Sequence, residues 1–407
     1  MQWVLRGVCV PVWRADRRGR LIGLLLAAGG FSYLLSNIVQ AVRETLADPP
    51  VHTDFHSLWS YARIAMQDGA QSVYDQAHLW RGELALGRDP TRPSPLPFAF
   101  PPHFLLLIWP LGWFGYAPAY LLWMAATLAL LLWVAPRARL LILLAPATAA
   151  TIAFGQSGFL IAAMLVGGMR LVPRWPLLGG ALLGLATCKP QLGLLVPVAL
   201  LAMGAWRAVA AAIVATLLLV SLSALVFGSA IWPTWLAVLP HYSARFDAEM
   251  TDYWYLMPTV EGNLRLVGLG AGVAKLAQAT VALPVVVLTW RVFRRGASEM
   301  ALATLCVGTF LVTPHAFVYD LSLAVVGIGC FVHARLAAGG LTGLEVASVL
   351  AVLLLPVAMM TYLSPLPLAA PSFAVLLAVM VCGERRASPL LSALPSTPNT
   401  SARVMTP

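Results

Sequence analysis

Long apolar runs alternate with short basic loops along this chain, and the length of the runs sets its class. The stretches at 21–41 (LIGLLLAAGGFSYLLSNIVQA), 116–135, 206–228 and 270–290 are each long enough to cross roughly 30 Å of hydrocarbon as a helix. Apolar and polar residues nowhere alternate with a period of two, which argues against a barrel. Thirteen apolar segments can be counted. The weakest, 98–115, is short, broken by prolines and rich in aromatics, which suits a re-entrant or interfacial piece better than a crossing. The remaining twelve predict spanning helices near 21–41, 116–135, 138–154, 157–171, 175–188, 191–204, 206–228, 270–290, 298–313, 316–332, 344–360 and 366–382. The fold class expected is therefore all-α: a polytopic integral membrane protein of about twelve transmembrane helices, with juxtamembrane helices in its outer loops.

Basic residues orient the helices. Arg385 and Arg386 place the C-terminal segment in the cytoplasm. Alternating inward, the loops carrying His333 and Arg335, Arg291 with Arg294 and Arg295, Arg207, Arg170 with Arg174, and Arg137 with Arg139 fall on the same side. The cluster Arg14, Arg17, Arg18 and Arg20 joins them, so an even number of crossings puts both termini in the cytoplasm. The run after RADRRGR is longer than a signal peptide's and lacks a small-residue cleavage pattern, so it is expected to remain as a first helix. Residues 1–383 are expected to form one transmembrane domain with outer loops 42–100 and 229–269, and the Ser/Pro/Thr-rich 384–407 a disordered cytoplasmic tail.

Composition agrees with this picture: over 407 residues, 60% are hydrophobic and only 10% charged, with mean hydropathy +0.83, against about a quarter charged in soluble domains. The net charge of +10 sits in short clusters between apolar runs, the orientation signal of membrane proteins, and gives no reason to invoke nucleic acid. Cys9, Cys188, Cys306, Cys330 and Cys382 lie mostly within apolar runs and share no metal-ligand or disulfide spacing, so packing explains them.

With this topology four polar stretches emerge on the extracytoplasmic side, each at a helix end or tight turn. They are TDFHSLWSYAR (53–63), FGQSG (154–158), CKPQ (188–191) and TPHAFVYD (313–320). Asp54 reads either as a helix cap or as a general base whose pKa partial desolvation raises. Lys189, followed at once by Pro190, reads either as a snorkelling lysine or, with donors from Gln191, as a ligand for phosphate. His315 reads as a structural histidine or a site residue; Asp320 at i+5 pairs poorly with it on one helical face, so no triad is implied. Gln156 is a capping amide or a hydroxyl-binding donor. HExxH, GxxxxGK[ST], GxSxG and CxxC are all missing, which leaves metalloprotease, nucleotide-hydrolase, lipase and thiol-redox chemistry without support. The lack of a DxD pair argues against a metal-chelated nucleotide-sugar donor.

Asp-Phe with its following aromatics, Tyr74-Asp75, the Phe-Pro-Pro run at 100–102, GQSG at 155, GLATCKPQ at 184–191 and PHAFVYD at 314–320 form a recognisable order. In these motifs, across about 45–325, the sequence resembles glycosyltransferase family 87. These are GT-C type membrane enzymes that include polyprenyl-phosphate-mannose-dependent mannosyltransferases of the cell envelope. The first loop departs from the family with His56 and Trp59, where other members more often have Tyr or small residues. The resemblance implies a GT-C-like helical enzyme of the bacterial plasma membrane with its site on the extracytoplasmic side. It also implies a polyprenyl-phosphate sugar donor, a lipid or glycan acceptor, and an acid in the first outer loop as base. Matched residue by residue, that acid is Asp54, the family's Lys-Pro position is Lys189 and its late histidine is His315. Arg63 and Arg245 are further candidates for the departing phosphate. A monophosphate donor paired with a lysine needs no metal, and no cofactor is implied. A polytopic transporter or flippase is the rival reading, but it expects ionisable groups at mid-helix; here they gather at helix ends, with Lys275 the main exception. A non-catalytic scaffold gives no reason for the outer loops to collect an Asp, a Lys, a Gln and a His.

Overall fold

Helices supply all the regular structure. The computed structural model describes residues 54–90, 98–361 and 365–392, together with Ser36, Val39, Gln40 and Arg43, and contains no strand among them. The expected first helix, 21–41, and the tail beyond 392 lie outside the described residues, apart from Ser36, Val39 and Gln40. In chain order the helices are α1 Asp54–Asp68, α2 Gln76–Ala85, α3 Pro102–Ile108, α4 Tyr116–Val134, α5 Arg139–Leu144, α6 Pro146–Phe154, α7 Gly158–Leu171, α8 Pro176–Leu185 and α9 Leu195–Ala202. There follow α10 Trp206–Phe227, α11 Ile231–Glu249, α12 Val260–Leu266, α13 Ala271–Phe293, α14 Glu299–Val312, α15 Ser322–Ala337, α16 Gly343–Leu353, α17 Leu355–Met359 and α18 Ala369–Ser392. The last helix runs on past the boundary expected at 383.

Among the described residues, four helical segments are long and apolar enough to cross a membrane: α4, α10, α13, and α15 with the 3-10 turn before it. A bent pair, 136–144 with 146–154, makes a fifth if taken as one span. The other apolar helices run 10–17 residues, short of the about 20 that a crossing takes. Proline accounts for much of the shortening. The helix expected over 138–154 bends by 73° because Pro146 forces Ala145 into an extended conformation (ψ 137°). The helix expected over 344–360 is divided at Leu354, where Pro356 stands in the first turn of the following helix and has no N–H to continue the preceding one. The segment 98–115 forms α3 and a 3-10 turn, Trp109–Trp113. Seven helical residues rise only about 10 Å, so α3 cannot cross. Phe104, Leu105 and Ile108 are fully buried while Trp113 is open, and the segment is pinned to α1 by Arg63 Nη1 donating to the Gly112 carbonyl (2.9 Å) and Trp59 Nε1 to that of Phe114 (3.0 Å).

Small residues bring α8 and α10 together. A Cβ on Gly180 would meet the Ala208 carbonyl, and one on Gly184 that of Ala212, the close backbone approach that membrane helices use in place of a hydrophobic drive. The opposite face of α10 leaves Ile213, Leu217, Leu218 and Leu225 open, as suits a surface solvated by lipid. Enclosed at the centre are α7, α14 and α15, whose side chains are mostly buried. Polar caps fix several starts: Thr259 accepts from Gly262 N–H, Ser298 from Ala301 N–H, and Thr342 forms a reciprocal box with Glu345.

Candidate functional site

Two glycines let the site close. Gly155 ends α6 in the left-handed region (φ 67°), and Phe55 packs where its Cβ would stand. That contact seats the first turn of α1 against the 155–158 turn, so Asp54 accepts a hydrogen bond from Gln156 Nε2 at 3.3 Å. Gly158 likewise leaves room for the carbonyl of Tyr319, which also accepts from Thr151 Oγ1 (2.8 Å); that hydroxyl lies 2.9 Å from Ser322 Oγ. The loop before α15 is thereby locked onto the end of α6.

Lys189 sits between two 3-10 turns at φ −134° and ψ 71°, outside the helical region that a following proline disfavours. Its Nζ lies 2.6 Å from Asp320 Oδ1, with side-chain exposures of 4% and 0%. The other oxygen, Asp320 Oδ2, accepts from Phe317 N–H at 3.0 Å, and the ammonium also stands 4.9 Å from the centre of the Tyr319 ring. All four polar stretches therefore meet at one end of the bundle, as expected from their order. Lys189, expected as a phosphate ligand, is buried and paired with Asp320. Sequence reasoning missed this pairing, although the rule that charges within a membrane find partners could have suggested it.

Burial is the main cause of an Asp54 pKa raised from the usual carboxylate range to about 6; the hydrogen bond from Gln156 and the charges of Arg88 and Lys189 oppose it. Part of the residue remains open. Arg88, also missed, pairs with buried Glu83 at 2.5 Å. Tyr61 belongs to the same neighbourhood: its phenol, pushed up by burial, senses Glu83, Tyr242, Arg88 and Asp54. Tyr242, on α11, is raised to about 12 by burial and stacks on Phe246 (5.8 Å). Phe246 in turn carries the His315 ring at 5.1 Å. His315 is half-buried, and burial lowers its pKa, so the imidazole is neutral at pH 7. Gln191 lies half-buried in the turn after Pro190. Arg63 holds the Gly112 carbonyl, as above, and Arg245 pairs with Glu249 one turn along α11 at 2.5 Å. Among the described residues no three His, Cys, Asp or Glu side chains gather as a metal site would require.

A helical membrane protein thus carries a buried, high-pKa carboxyl at the end of its bundle. The model of glycosyltransferase family 87 matches residues 98–314, more than half of the chain, and the protein belongs to that family. It is accordingly a membrane glycosyltransferase, acting on a sugar donor and an acceptor. The match includes Gln156, Lys189 and Arg245, while His315 follows its last residue and Asp54 lies well before its first. Neither a curated protein nor a solved structure matches the chain.

Proposed function

We propose that this glycosyltransferase moves a sugar, mannose or a close relative, from a polyprenyl-phosphate donor to a lipid or glycan acceptor on the extracytoplasmic face, with inversion and with Asp54 as general base. The observation that supports it most is the Asp54 carboxyl itself, largely buried, held by Gln156, with a pKa of about 6. A base is most effective when its pKa lies near the working pH, where it is ionised yet still takes protons, and such a group contributes about 10²- to 10⁴-fold.

The steps balance simply. As the acceptor oxygen bonds to the anomeric carbon, its proton passes to Asp54. The bond from that carbon to the phosphate oxygen breaks, and its electron pair leaves with the polyprenyl phosphate. A phosphate departs without a strong acid, so one carboxylate suffices, unlike the pair used in glycoside hydrolysis. Neutral His315 can donate an N–H to the phosphate, and the Lys189–Asp320 pair keeps the loop bearing Tyr319 in place. The aromatic segment of α3 and the turn after it offers an apolar path for the polyprenyl chain.

Purified protein incubated with candidate polyprenyl-phosphate sugars and membrane lipids, followed by mass spectrometry, tests donor and acceptor together. The expected result is one hexose added to an acceptor and release of polyprenyl phosphate. Transfer from nucleotide sugars alone would overturn the reading.

A further inference from the structure

The chain has only two lysines, and their surroundings differ sharply. Lys189 is buried in its pair with Asp320. Lys275, in the second turn of α13, is about half exposed (51%), and its Nζ lies 3.5 Å from Asp247 Oδ2, itself 34% exposed. That separation is beyond good hydrogen-bond length, and a pair so exposed contributes little. Lys275 is thus a full positive charge held loosely at the rim of the site.

Its position follows from α11. Tyr242 belongs to the Asp54 neighbourhood, since Tyr61 senses both groups. Phe246, one turn on, carries His315; Asp247, the next residue, meets Lys275. Five residues of helix, from Tyr242 to Asp247, rise about 7.5 Å, so Lys275 stands beside the His315 end of that segment. The Lys275 ammonium and the Asp247 carboxylate both act on the His315 imidazole, in opposite directions. Other charged groups nearby are Arg245 and Glu249, paired on α11, Glu261, buried on α12, and Arg265 beside it; Glu261 senses Lys275, Asp247 and Arg265.

We infer that Lys275 is the cation that holds the donor phosphate, and that Asp247 is its resident counter-ion, which the arriving anion displaces. This rests on the polyprenyl-phosphate reading above. The loose contact is what makes exchange possible: a phosphate oxygen at hydrogen-bond distance replaces a carboxylate at 3.5 Å, and charge-assisted bonds to phosphate are the stronger for being short.

Binding of polyprenyl phosphate and of unphosphorylated polyprenol to the protein in lipid nanodiscs tests it. Lys275→Gln should weaken binding of the phosphate by about tenfold, the loss of one charged hydrogen bond, and leave polyprenol unchanged; Lys275→Arg should restore it. Asp247→Asn should tighten phosphate binding several-fold, an effect that damage to the fold would not produce. A Lys275→Gln protein that keeps the wild-type preference for phosphate, or an Asp247→Asn protein that binds it more weakly, overturns the assignment of these residues alone. Wild-type protein that binds polyprenyl phosphate no better than polyprenol contradicts the donor reading itself.

Discussion

The ammonium of Lys189 and the carboxylate of Asp320, 131 residues apart in sequence, meet at 2.6 Å in the interior of the protein. This pair ties the α8–α9 connection to the loop before α15, and hence to the turn that holds Asp54. Removing one partner strands the other charge away from water, at a cost of about 3–5 kcal/mol. Lys189→Met should therefore lower thermal stability and the yield of folded protein. Lys189→Met with Asp320→Asn should recover much of the loss, since the amide oxygen can still accept from Phe317 N–H. Melting temperatures of the two variants in detergent check this; equal destabilisation would mean that the pair is not what holds these connections together.

Gly158 makes a second, steric test. Its missing Cβ is the space that the Tyr319 carbonyl occupies. Gly158→Ala should push the 317–321 loop away and cut sugar transfer by tenfold or more, about 1.4 kcal/mol, while helical content measured by circular dichroism stays the same. Gly204→Ala is a useful comparison: it strains a glycine with φ 63° at the other end of the bundle, and it should affect stability more than transfer.

The pH dependence follows from Asp54. Its carboxyl must be ionised to accept a proton, so transfer should rise with pH through an apparent pKa of about 6 and then level off. Linkage runs the other way for stability. A carboxyl whose folded pKa is raised favours folding most below its unfolded pKa of 3.8, and that advantage is lost as pH climbs to about 6. Asp54→Asn should thus melt no lower than wild type at pH 7 to 8. A pH–rate profile together with melting curves at pH 5 and 8 checks both signs.

Much of this was legible in the sequence. Apolar runs located every described transmembrane segment because hydrophobic length is a direct consequence of bilayer thickness. The convergence of Asp54, Gln156, Lys189 and His315 followed from counting helices between basic loops. What could not be read was how the runs break and what the charges pair with. Pro146 and Pro356 divide their segments through local backbone geometry, and a hydropathy pattern does not carry that information. The pairing of Lys189 joins two motifs, since its partner, Asp320, stands 131 residues further on. The Glu83–Arg88 pair and the Tyr61–Tyr242 wall depend on how α1, α2 and α11 pack, and no spacing in the chain records it.

Sugar transfer by the Asp54→Asn protein bears most directly on the central proposal. Wild type and variant are reconstituted in equal amounts and supplied with the polyprenyl-phosphate sugar that wild type uses, and glycosylated acceptor is quantified by mass spectrometry. With folding confirmed by an undiminished melting temperature, the variant should lose about 10²-fold or more of the wild-type rate. Transfer by the variant at a rate close to wild type would show that the proton goes elsewhere and that Asp54 is not the base.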